Sequence, residues 1–200
     1  MPLGAFKAAL MGTAGVSTAD VVLLSSQTAS GASEIEFTSK ITSAYGEYIF
    51  MFYNVNPADD QDGLRFNGSI DGVSNYNVSK TSTAFTANHD EDDNPAAMAY
   101  ETSLDMPDGD PLQYTGYQIL TGALADDADM CANGVIHLFN PSSTTYVKHF
   151  YTESTDNGFN RAMHSFRAGY FNTTSAINAI SFKTTAAGAF DGKFKMWGVK

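Results

Sequence analysis

The sequence is short of the residues that usually carry chemistry. One cysteine, Cys131, stands among 200 residues, so no intramolecular disulfide can form, and the thiol reads as a small apolar side chain. Charged residues make up 16% of the chain, against ~25% in an average soluble protein, and Ser, Thr, Asn and Gly supply the polar surface instead. Basic residues are scarcest: 11 Lys and Arg stand against 22 Asp and Glu, a net charge of -11. No Lys/Arg cluster offsets this locally, which argues against nucleic acid as a partner. No apolar run approaches the ~20 residues of a membrane span, so no membrane partner is expected. The opening MPLGAFKAALMGTAG has no basic leader and is interrupted by Lys7; it is expected to be retained rather than removed as a signal peptide.

Catalytic and metal-binding spacings are missing as well. The chain contains no G-x-S-x-G, no H-E-x-x-H and no phosphate-cradling glycine loop. DDQDG at 59–63 and DMPDGDP at 105–111 set Asp near Gly, but neither has the ligand spacing or the closing Glu of a calcium loop, and both read as solvated turns. HDEDDN at 89–94 reads as an acidic, solvent-facing loop. His137 and His149 lie on the two arms of one hairpin: one register brings the imidazoles together as half a zinc site, the other sends them to opposite faces. The triplets starting at Asn67, Asn77 and Asn172 matter only on a secretory route. The expectation is a protein without enzymatic activity, required metal or cofactor.

What the chain does have is aromatic and β-branched residues in alternation. It is 43% hydrophobic and 12% aromatic, with 14 Phe and 10 Tyr, and a domain of this length buries roughly 70% of its unfolded surface. Residues 1–15 stand apart. Pro2 suits a first helical position, and Leu3, Phe6 and Leu10 form one apolar stripe before Gly12 and Gly15. A helix so short needs a surface to lie on, its own body or a partner.

From Asp20 the pattern is strand after strand. VVLLSS, Ile35 with Phe37, and AYGEYIFMFYNVNP come first. In the last, Tyr48, Phe50 and Phe52 share one face while Ile49, Met51, Tyr53 and Val55 share the other, so the strand is apolar on both sides. In a two-sheet protein the second face is either buried by the N-terminal arm or a loop, or meets another subunit; Met51, Tyr53 and Val55 are the residues expected at such a subunit interface. A Thr/Ser-rich pair of strands around Tyr76, Val78, Thr83 and Phe85 follows, then the segment 113–124, ambiguous between strand and short helix. The hairpin GVIHLFN-PSST-TYVKHFY is the clearest in the chain; a helical turn is expected at NRAMHSF. The end, GKFKMWGVK, alternates Phe194 and Met196 against Lys193, Lys195 and Trp197, and must close the fold as a strand. About ten strands with no sustained helix predict a jelly-roll-like antiparallel β-sandwich, with residues 1–15 as an anchoring arm and 16–200 as one domain.

The stretches LGAFKAALMGTAG, YGEYIFMFYNVNPADD, HLFNPSSTTYVKHFY and AINAISFKTTAAGAFDGKFKMWGVK together cover much of the chain. This combination resembles tailed-bacteriophage virion proteins of the marine phage type. The pattern Ile177, Ile180, Phe182, a glycine turn at Gly188 and Gly192, and the closing pair Trp197-Gly198 is similar to the ending of phage fibre, spike and decoration domains. The resemblance implies a jelly-roll-like sandwich in the virion, assembled in the host cytoplasm, as a capsid decoration, head-fibre or tail-fibre subunit. Its partners would be its own copies, expected as a trimer, and the capsid, portal or tail, reached through Leu3, Phe6 and Leu10. The alternative is a carbohydrate-binding adhesin, in which Tyr76, Tyr100, Tyr114 and Tyr117, if exposed on loops, stack on the sugar rings of a host surface glycan.

Overall fold

Apolar residues alternating with polar ones, punctuated by Asn, Asp and Gly turns, fold into twelve strands in a computed structural model that describes residues 20–60, 62–72, 75–93, 96–106, 116–184 and 188–200. No helix occurs among the described residues. In chain order the strands are β1 (Val21–Ala32), β2 (Ile35–Phe37), β3 (Glu47–Pro57), β4 (Arg65–Ser69), β5 (Lys80–Asp90), β6 (Ala96–Tyr100), β7 (Gln118–Ile119), β8 (Ala132–Phe139), β9 (Lys148–Asp156), β10 (Arg161–Phe171), β11 (Ala179–Lys183) and β12 (Phe190–Val199). They form an eight-stranded sheet, ordered β1-β12-β3-β8-β9-β10-β5-β6, and a four-stranded sheet, ordered β2-β11-β4-β7. Every described strand pairing is antiparallel.

Removing β5, β6, β9 and β10 leaves β1-β12-β3-β8 facing β2-β11-β4-β7. The chain crosses between layers from β1 to β2 to β3 to β4, turns within the small sheet to β7, and crosses back through β8, β11 and β12. That is the jelly-roll arrangement expected from the sequence. The other four strands enter as two insertions that continue the large sheet beyond β8 and double its width.

The core lies between the layers and is built largely of phenylalanine. Phe182 on β11 sits among Phe37, Phe50, Phe66 and Phe194, with ring centroids 5.3 to 6.5 Å apart, mostly in tilted or edge-on contacts. The closing strand contributes Phe190, Phe194 and Met196 to this core and pairs with both β1 and β3. Its Gly198 lies under the Tyr45 ring, where an added Cβ would come within 2.6 Å of a ring carbon. Tyr45 in turn packs edge-on against the buried Tyr48 at 5.8 Å. Gly198→Ala is therefore expected to lower thermal stability, by about 1–3 kcal/mol if the ring must move, which a thermal melt against wild type will show.

Two readings of the sequence are corrected here. NRAMHSF is not a helical turn: Phe159 and Asn160 take positive φ angles of 57° and 59° in a tight turn, and an eleven-residue strand runs from Arg161. The polar residues Ser165 and Arg167 face inward on it, so its alternation is hidden from a reading that expects apolar residues inside. Around Tyr76 and Val78 there is no strand, since β5 begins at Lys80. The ambiguous segment after Tyr114 resolves as the two-residue strand β7.

Candidate interaction surface

The outer face of the eight-stranded sheet gathers the chain's unusual residues. Register fixes which side chains share it. Trp197 on β12 stands opposite Leu23 and Ile49, Lys195 opposite Met51, and Lys193 opposite Tyr53. Met51 faces Val135 across β8, and Ile49 faces His137, which faces Tyr151 across β9. Glu153 meets Phe166 on β10, and Phe166 meets Phe85 on β5, which meets Tyr100 on the edge strand β6. A band of aromatic and aliphatic side chains thus crosses the sheet from edge to edge, interrupted by Lys193 and Lys195 on β12 and by Glu153 on β9.

Ring contacts tie neighbouring strands of the band together. His137 stacks on Tyr151 at 4.4 Å and 10°, with its Nδ1 2.5 Å from Glu47 Oε1. Phe85 stacks on Phe166 at 4.7 Å and 14°, and His164 lies against the same Phe166 at 4.0 Å. Lys195 reaches over the Tyr53 ring, whose hydroxyl donates to Met51 Sδ at 3.2 Å. Near the centre is a shallow depression of about 300 Å³, lined in part by Met51, Val135, Glu153 and His164. Of the exposed large apolar residues, Met98 at 76%, Tyr100 at 56%, Tyr151 and Phe85 lie on the inserted strands, Val21 and Leu23 on the opposite edge strand, and Tyr146 at 74% in the β8–β9 turn.

The sequence-predicted interface residues divide. Met51 and Tyr53 lie half-buried on this outer face as expected. Val55 does not: it is completely buried in the core. Asn54 has a φ of 50° and the β3–β8 register shifts between Phe52 and Val55, a bulge that turns Val55 inward. Gly192, at the matching irregularity in β12, leaves room for it, since an added Cβ would sit 3.1 Å from Val55 Cγ2. Leu3, Phe6 and Leu10, with the whole proposed arm, lie outside the described residues.

The four tyrosines proposed to stack on sugars form no exposed set. Tyr114 lies outside the described residues. Tyr117 is buried, bonded through its hydroxyl to Ser181 Oγ at 2.9 Å and Glu34 Oε1 at 3.1 Å, with Lys183 Nζ 4.0 Å from its ring centroid. Tyr76 is half-buried nearby, and only Tyr100 is freely exposed, its hydroxyl donating to Asp105 Oδ2 at 2.8 Å. His137 and His149 both project outward from their hairpin, but His137 faces Tyr151 rather than His149. The described residues hold no group of three or more His, Cys, Asp or Glu placed to bind a metal ion. Asp62 is buried and uses its carboxylate to accept from the Gly63 N–H at 2.9 Å; Asp108 and Asp110 of the second acidic loop lie outside the described residues.

The outer face of the small sheet is polar and carries the shifted phenols. Burial raises Tyr117 well above the ordinary phenol range, with the Glu34 carboxylate adding to it against an opposing Ser181 hydrogen bond. Burial likewise raises Tyr76, assisted by Glu36 and Glu34. Both hydroxyls stay protonated in the fold where they would ionise in the unfolded chain, so the stability they support is whole below pH ~10 and is lost as pH climbs beyond it. In an alkaline absorbance titration, two of the ten tyrosines are expected to ionise only together with unfolding. Smooth ionisation of all ten before any loss of the β-sheet circular dichroism would contradict this.

Neither a protein-family model, nor a curated protein, nor a solved structure matches this chain.

Proposed function

We propose that this chain is a structural subunit of a virion, of the decoration or fibre kind found on tailed phages, and that it assembles with copies of itself through the outer face of its eight-stranded sheet. The observation that carries the reading is that face: an aromatic band tied together by ring stacking and widened by two insertions into a jelly roll. Strands ~4.8 Å apart with a ~3.3 Å rise per residue give an eight-stranded face on the order of 1,000 Å², and a standard interface needs about 800 Å² from each partner. The jelly roll adds support, since capsid and lectin domains both use it, although a fold by itself assigns no function.

The test is twofold. Sedimentation of the full chain should give a closed oligomer, a trimer on the phage-appendage reading, and an antibody raised against it should label intact particles. A monomer at micromolar concentration removes the assembly reading; an oligomer that labels no particle removes the virion placement. The attachment arm proposed at residues 1–15 is tested by deleting residues 1–14: the sandwich should stay folded and be lost from particles.

One observation favours a second reading, glycan binding. Tyr100 presents an open ring with the Asp105 carboxylate beside it, the pairing of a flat apolar surface and a hydrogen-bond acceptor that sugars use. Tyr100→Ala abolishes any glycan binding that depends on this site and leaves assembly intact if the two functions are separate.

A further inference from the structure

On the inner face of β5, β9 and β10, polar side chains stand where a sandwich usually places apolar ones. Thr152 and Ser154 on β9 lie opposite Arg167 and Ser165 on β10, and across β5 the same two residues meet Ala84 and Thr86. All six are buried, Arg167 at only 2% exposure. Its Nη1 donates to the Phe166 and Phe85 carbonyls at 3.0 and 3.3 Å. The other edge of the guanidinium is different. Nε and Nη2 have no hydrogen-bond partner among the described residues, and neither do the buried hydroxyls of Ser165 and Thr152. The nearby carboxylates are engaged elsewhere: Glu101 accepts from Thr86 Oγ1 at 2.6 Å, and Asp156 accepts from the Gly122 N–H at 2.8 Å.

We propose that this edge is a binding site for a small oxyanion, held in a fork by Nε and Nη2 of Arg167 and bonded by the hydroxyls of Ser165 and Thr152. The two N–H groups on that edge point in parallel, at the spacing of two oxygens on a carboxylate or phosphate. Four groups able to donate surround one buried positive charge. Glu101 and Asp156 lend counter-charge from nearby, but neither bonds the Nε–Nη2 edge; a neutral water can satisfy these donors one at a time, whereas an oxyanion accepts from both at once. Burial already brings the guanidinium down to about 10, a strain that a bound anion relieves. Ligation would join β9 to β10 in the inserted half of the sheet. The site lies inside the sandwich, so it is independent of assembly through the outer face.

The full chain, dialysed into Tris chloride, is melted with added sodium formate or sodium phosphate, and with sodium chloride at matched ionic strength. Formate or phosphate is expected to raise Tm by at least ~3 °C beyond chloride and to do so as a binding isotherm; which of the two acts distinguishes a planar from a tetrahedral ligand. With a chain charge of -11, diffuse attraction of anions is disfavoured, so a selective response points to a built site. Arg167→Met should abolish the response. T152V/S165A keeps the cation and removes both hydroxyls, and should shift the dependence to at least ~10-fold higher concentration; it carries the decision if R167M does not fold. Equal effects of all three salts overturn the proposal, as does an unchanged oxyanion response in T152V/S165A together with a folded R167M.

Discussion

An F50D/F52D variant is expected to have no cooperative fold at 25 °C. Both rings are buried on the inner face of β3. Phe50 lies 5.5 Å edge-on from Phe37 and 5.9 Å from Phe182, and Phe52 packs on Phe194 at 6.4 Å. Deleting one such ring costs about 3–5 kcal/mol, and an unpaired carboxylate in its place adds desolvation. Two such losses exceed a total stability of ~5–15 kcal/mol. The near-ultraviolet circular dichroism of the aromatic core should vanish; a retained signal with a sharp melting transition would show that the layers do not meet at β3.

The same substitutions one residue along the strand should leave the fold standing and take the assembly apart. In M51D/Y53D the new carboxylates point outward, directly opposite Lys195 and Lys193 on β12. Cross-strand pairs of opposite charge favour the monomer, while burying those Asp–Lys pairs against a second copy costs a desolvation that the Met and Tyr side chains do not. The expected result is a monomer in sedimentation with a near-wild-type circular dichroism spectrum. An unchanged oligomer would move the interface away from this face, to the β6 edge or the small sheet. The contrast between the two double variants, four adjacent positions on one strand, is what alternation in a two-sided sheet requires.

That alternation made half of the fold legible from sequence. Tyr48, Phe50 and Phe52 were separable from Met51 and Tyr53, and Phe194 and Met196 from their lysine neighbours, because in these strands apolar side chains face in and the pleat is continuous. It failed where either condition lapsed. Simple alternation puts Val55 on the wrong face because one bulged residue reverses everything beyond it, and Asn54, a residue that tolerates positive φ, is the available signal. In β9 and β10 the rule inverts: Thr152, Ser154, Ser165 and Arg167 face in while Tyr151 and Phe166 face out. A reading that sends arginine to solvent cannot find a buried guanidinium. Half of the candidate interface, the part on the inserted strands, was hidden for the same reason.

The closing strand has a mechanical corollary. β12 runs antiparallel to β1, pairing Val199 with Val21, and the Lys200 N–H donates to the Asp20 carbonyl at 2.9 Å. Residues 20 and 200 therefore leave the sheet at one corner, on neighbouring strands. A tension applied between them pulls across the ladder, along its hydrogen bonds rather than along the strands, so the rungs are loaded singly and the pair peels open like a zip. Drawn instead between Asp20 and a point on β6, the far edge of the large sheet, the force passes through all seven strand pairings in series, the β1–β12 pairing first. A pull on residues 20 and 200 therefore acts on the β1–β12 seam, and a load that enters the aromatic face at β12 or beyond bypasses it.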